Sequence, residues 1–171
     1  MALRRIRNGG RAGALILGLL VALAAATPAL AVISPTYSIV GVEYYATATE
    51  GRFAGTGTGS GGDYVTWNAR ILHTPLTTTA EITGGSASVL TSDLTRVSGQ
   101  FSGGSVTLKA AEPGCGREWY DVSGSLKKVR RSDAPGNGTG SFVAVLTHYR
   151  ASVFGQCVTY SATVSGTIVF D

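Results

Sequence analysis

The sequence predicts an all-β fold: an eight-stranded antiparallel up-and-down β-barrel after a cleaved N-terminal signal helix, with a β-sandwich as the alternative. Three observations carry that expectation. First, in the run Cys157 to Phe170, Val158, Tyr160, Ala162, Val164, Gly166, Ile168 and Phe170 alternate with Thr159, Ser161, Thr163, Ser165 and Thr167. Successive side chains of a strand point to opposite faces, so this run has an oily face and a hydroxyl face. Second, the pattern recurs upstream between short Gly- and Pro-containing connections, without a convincing helix. Third, Cys115 and Cys157 fall in or beside the fifth and seventh connections. In a meander these lie at the same end, so the two sulfurs can meet.

The chain begins with an address. Arg4, Arg5, Arg7 and Arg11 form a positive region, Ala12 to Ala26 is uncharged and apolar, and Ala29-Leu30-Ala31 is a small-x-small cleavage site. This reads as residues 1–31 of a bacterial-style secretory signal, cut after Ala31, with a membrane anchor as the competing reading. The expected mature domain, 32–171, is secreted and single. Four of the 14 basic residues leave with the signal and no acid does, so 10 basic and 10 acidic residues remain. The overall +4 charge is therefore no nucleic-acid footprint, and no nucleic-acid partner is expected. Two cysteines in an exported domain read as one disulfide rather than a metal pair, because no His stands at ligand spacing. Closing a loop of this length stabilises by roughly 3–4 kcal/mol on the chain-entropy argument.

Eight strands follow in order. Tyr37 to Thr49 is apolar on both sides at its start: Val40, Val42 and Tyr44 on one face, Tyr37 and Ile39 on the other, with Glu43 in the second row. Arg52 to Thr58 carries Gly55 and Gly57 at alternate places, the bare face of a closely packed strand or else a flexible loop. Tyr64 to His73 aligns Val65, Trp67, Ala69 and Ile71 before Thr74-Pro75 stops it. Ile82-Thr83-Gly84-Gly85-Ser86 is echoed by Phe101-Ser102-Gly103-Gly104-Ser105, and the alternation changes phase at the second pair. One extra residue, a β-bulge, explains the slip and bends a sheet toward closure; paired hairpin turns are the other reading. Tyr120, Val122, Gly124 and Leu126 line the sixth strand. Asn137-Gly138 has the composition of a type I′ turn. Phe142, Ala144 and Leu146 oppose Val143 and Val145 in Ser141 to Tyr149, and Arg150 to Gln156 connects to the last run.

Motifs for nucleotides, zinc proteases and hydrolase nucleophiles are missing, and no cofactor or metal is expected. His148 lies on the Phe142–Leu146 face, and with Glu43 and Tyr160 forms the candidate set for proton transfer. Trp67, Trp119, Tyr120 and His148 are candidates for binding a ligand, since aromatics beside carboxylates furnish small-molecule and sugar rims. Lys127, Lys128, Arg130 and Arg131 read first as charge that keeps an edge soluble and second as an anion-attracting surface.

Three functional classes stand. The leading one is a secreted, non-enzymatic barrel binding a small apolar or saccharide ligand or a protein partner, with Gly124 and Gly166 making internal room. The second is an outer-membrane barrel with its oily face to lipid. The third is a small-barrel cyclase or isomerase.

Overall fold

The computed structural model describes residues 34–133 and 136–171. The expected signal, 1–31, and Ala134-Pro135 lie outside the described residues. Eight strands run in order: β1 (Thr36–Ala46), β2 (Glu50–Gly59), β3 (Tyr64–His73), β4 (Thr79–Thr91), β5 (Arg96–Ala111), β6 (Glu118–Arg131), β7 (Gly138–Val153) and β8 (Gln156–Phe170). Each pairs antiparallel with the next, and β1 pairs with β8, so the sheet closes as an up-and-down barrel. Closure leaves no strand edge.

The oily row of each strand faces inward. Tyr37 and Ile39 of β1, Val65, Trp67, Ala69 and Ile71 of β3, Tyr120, Val122 and Leu126 of β6 and Phe142, Ala144 and Leu146 of β7 share one core. Outside lie side chains such as Thr66, Asn68 and Arg70 of β3 and Asp121, Ser123 and Ser125 of β6. A spanning barrel turns an apolar band toward lipid; most of this outer face is hydroxyl or charged. The exception is a sector in which Val40, Val42 and Val143 point outward.

The expected phase slip is present twice. The inner row passes from Ala80 and Ile82 to Ala87 and Val89 on β4, and from Val97 and Phe101 to Val106 on β5. Both Gly-Gly pairs fall in one gap of the β4–β5 ladder, between Glu81↔Ser105 and Ser86↔Gln100. Neither is a hairpin turn. Gly85 and Gly104 have φ of 115° and 140°, which side-chain-bearing residues rarely adopt.

Other local expectations change. Asn137-Gly138 is not a two-residue turn, because Gly138 already pairs with Val129 as the start of β7. The tight turn is Phe154-Gly155, both with positive φ, between paired Val153 and Gln156. Thus Arg150 to Gln156 is no loose connection but most of a projecting hairpin. Its register shifts between Tyr149 and Arg150, leaving Tyr160 as the extra residue on β8. The inner row of β8 therefore stops at Ala162, and Val158 and Tyr160 are exposed.

Gly124 and Gly166 do not make internal room. A Cβ at Gly124 would lie 2.7 Å from the Phe101 ring, and one at Gly166 would lie 2.6 Å from Ala144 Cα. Their places are already taken by a ring and by a neighbouring backbone. The same holds for Gly41 and Gly55, over which Trp67 lies: added Cβ atoms would approach its indole to 2.9 and 2.8 Å. Trp67 Nε1–H donates to the Val40 carbonyl at 2.9 Å, so the indole is satisfied within the wall. Trp67, Phe101 and Phe142 meet at centroid distances of 6.2 and 5.8 Å and plug the middle.

Gly55→Ala is expected to lower stability by about 1–3 kcal/mol through overpacking, read from the urea midpoint. Gly59→Ala, whose Cβ would meet Tyr37 at an ordinary 3.5 Å, is the near-neutral comparison. Equal midpoints for the two variants would contradict the packing described.

Candidate functional site

With the middle filled, space remains at the end of the barrel formed by the β1–β2, β3–β4, β5–β6 and β7–β8 connections. A cavity of about 150 Å³ opens there. Phe53, Ile71, Val106, Val122 and Leu146 supply apolar walls, and Pro75 and Leu76 of the β3–β4 connection close one side. Glu43, His73 and His148 bring polar atoms to it.

Glu43 is there because β1 keeps its inward row through Tyr37, Ile39, Gly41 and Glu43; Tyr44 is then the extra residue of a bulge and turns outward. His148 continues the Phe142, Ala144, Leu146 row of β7. The strands carrying them are separated by β8, where Ala162 pairs with His148. Ala162 also lies one step past Val42↔Thr163, the last pair of β1 with β8. A methyl group is short enough to let two long side chains meet above it. His148 Nε2 and Glu43 Oε2 are 3.2 Å apart, with side chains 15% and 8% exposed. Since a carboxylate accepts, Nε2–H donates. Glu43 Oε1 has no hydrogen-bond partner among the described residues and remains an acceptor.

His73 holds its ring by Nδ1–H donating to the Thr74 carbonyl at 2.7 Å, leaving Nε2 as acceptor in the neutral form. On the other side of His148, the Tyr120 ring lies 5.1 Å away, centroid to centroid. Tyr120 Oη–H donates to Glu118 Oε2 at 2.7 Å. Burial, then that hydrogen bond and the Glu118 charge, push the phenol well above its ordinary range, so Tyr120 stays a neutral donor. Glu118 Oε1 is paired with Arg150. Arg150 donates to the Gly116 and Gly114 carbonyls, both at 3.2 Å, on either side of Cys115. Cys115 and Cys157 form the disulfide, with Cα atoms 5.2 Å apart. The Tyr120 ring thus packs the Glu43–His148 pair against a polar chain, Tyr120–Glu118–Arg150, that runs to the cross-linked β5–β6 loop.

Glu43, Tyr120 and His148 are brought together. Tyr160 is not: it is 69% exposed on the projecting hairpin. Trp67 belongs to the central plug, 2% exposed. Trp119 is on the outer row of β6, where Arg117 stacks on it at 5.1 Å. Sequence reasoning did not place Arg150, Leu76 or a role for His73 in this mouth, whereas the carboxylates and aromatics of 117–121, Glu118 among them, pointed to a rim at the disulfide end.

No protein-family model, curated protein or solved structure matches the chain.

Ala162→Leu is expected to part Glu43 from His148 by filling the space between them. The check is NMR of the His148 ring nitrogens, which should change, with a stability loss of about 1–3 kcal/mol from overpacking. Unchanged ring signals in the folded variant would contradict the bridging role of Ala162.

Proposed function

We propose that this chain is a secreted, non-enzymatic barrel that binds a small apolar ligand in the mouth pocket. The observation that carries this reading is the pocket itself: apolar walls around a few convergent polar atoms, the usual makeup of a small-molecule site. Its volume, about 150 Å³, matches a benzene-sized group. Glu43 Oε1 is an acceptor without a partner among the described residues, so the fitting ligand carries an O–H or N–H donor on an apolar ring. The disulfide is compatible with an extracellular home. The hydroxyl and charged side chains over most of the outside weigh against the outer-membrane alternative.

The Glu43–His148 contact favours a second reading, proton transfer on a bound ligand. A carboxylate that holds an imidazole in one orientation is the arrangement general acid–base catalysis uses. The absence of Tyr160 from the mouth narrows that reading to the pair, with the Tyr120 ring packed against His148 and its O–H committed to Glu118.

Titration of the protein with phenol, followed by backbone amide NMR, tests the binding reading. Expected are saturable shifts at Glu43, Phe53, Ile71, Leu146 and His148, with benzene giving weaker shifts at the same walls. No shift at these positions would overturn the proposal. Any ligand that co-purifies, identified by mass spectrometry, is then tested with His148→Ala. Binding with loss of turnover selects catalysis; weakened binding without turnover in either protein selects the binder.

A further inference from the structure

The ten basic residues of the barrel divide in a way that composition hides. Six of them, Arg52, Arg70, Lys109, Arg117, Arg131 and Arg150, are paired with carboxylates. The other four, Arg96, Lys127, Lys128 and Arg130, have no carboxylate at ion-pair distance among the described residues. Three of these four, Arg96, Lys128 and Arg130, line one groove of about 530 Å³ on the outside of β3–β6, and Lys127 neighbours Lys128 on β6. No acidic side chain lines that groove.

The backbone of β6 is bent to produce this arrangement. Its inward row runs Tyr120, Val122, Gly124, Leu126, and the next inward place would fall to Lys128. Instead the β6–β7 register shifts between Lys127 and Val129, and Lys128 adopts φ of 52°. Val129 takes the inward place and Lys128 is turned outside. A side-chain-bearing residue in the left-handed region is conformationally disfavoured. The bulge thus removes a charge from the core and adds it to the groove, a re-aiming that bulges commonly perform.

The remaining surface of the groove is neutral and polar. Ser86 and Ser88 of β4, Ser98 and Gln100 of β5 and the amides of Asn68 and Asn137 face it. Ser88 Oγ–H donates to Asn68 Oδ1 at 3.1 Å, which leaves the Asn68 amide nitrogen as a donor. Hydroxyls and amides between cations suit a hydroxyl-rich chain that bears spaced anionic groups. The groove has no aromatic side chain, the platform on which single-stranded nucleic acids stack their bases. Its volume lies in the range that holds a ligand of several rings.

We infer that this outer groove binds an acidic polysaccharide, with Arg96, Lys128 and Arg130 meeting its sulfate or carboxylate groups. The site is separate from the mouth pocket and does not depend on it.

Binding of the intact protein to dextran sulfate, to polygalacturonate and to neutral dextran is measured in low-salt buffer and again over a salt series. Both charged glycans, or one of them, should bind while neutral dextran does not; which one binds tells sulfate from carboxylate recognition. Replacing Arg96, Lys128 and Arg130 together by Gln should weaken binding at least about tenfold and flatten the salt dependence by about one power per cation removed. Arg96→Gln and Arg130→Gln alone, on different strands, should each weaken it in part. Arg117→Gln, a cation already paired elsewhere, should leave it unchanged, and thermal melts confirm that every variant is folded. The inference is overturned if neither charged glycan binds, if the triple variant binds as wild type, if Arg117→Gln weakens binding as much, or if a single-stranded oligonucleotide binds more tightly than both glycans.

Discussion

The barrel depends on one packing arrangement: the Trp67 indole laid across Gly41 and Gly55, with its N–H given to the Val40 carbonyl. Eight strands enclose a space that side chains just fill. Filling it with rings requires bare backbone opposite, and β1 and β2 supply that. Phe101 over Gly124 repeats the arrangement on the other side of the lumen. Large against small, inside a closed wall, leaves the middle solid. Free volume is then confined to the ends, which is why the pocket sits at a mouth and is small.

The same arrangement places the polar groups. Above the plug, inward-facing positions no longer meet a partner across the barrel, and polar side chains are tolerated if they satisfy one another. Glu43 and His148 do so as one pair, and Tyr120, Glu118 and Arg150 as a second set that ends on backbone carbonyls beside the disulfide; the Tyr120 ring packs against His148 between them. The cross-link and the Arg150 contacts both tie the projecting β7–β8 hairpin to the β5–β6 loop. The mouth is therefore held from its rim as well as from its floor.

Much of the fold was legible because period two is strict where Ser and Thr occupy the outer rows. The Gly103-Gly104 slip was legible as well, since glycine marks the bulge. The bulges at Tyr44, Lys128 and Tyr160 were not, because the residues there carry no such mark. At Tyr160 the oily alternation even continues through the bulge, so the pattern assigned Val158 and Tyr160 to a face that the backbone had already left. Val40 and Val143 left a different ambiguity: both faces of β1 and β7 are apolar, and only closure decides which faces in. Glu43 and His148 were each visible as candidates. Their contact, across 105 positions, depends on how β8 is registered against two neighbours, and a single strand's pattern does not contain that.

The outer face obeys a different rule from the inner one. Inside, a misplaced charge is expensive, and β6 changes phase at Lys128 instead of burying an ammonium group. Outside, an unpaired cation costs little by itself, but several on one face repel one another. Most of the basic residues here avoid that by pairing with carboxylates. The four that do not are gathered on β5 and β6, around a neutral hydroxyl floor that offers no relief of their repulsion. Solubility alone would be served as well by spreading them. Their concentration over a polar groove, at the expense of a left-handed residue, points to an anionic occupant that relieves the repulsion, and gives the outside of the barrel a role as definite as that of its mouth.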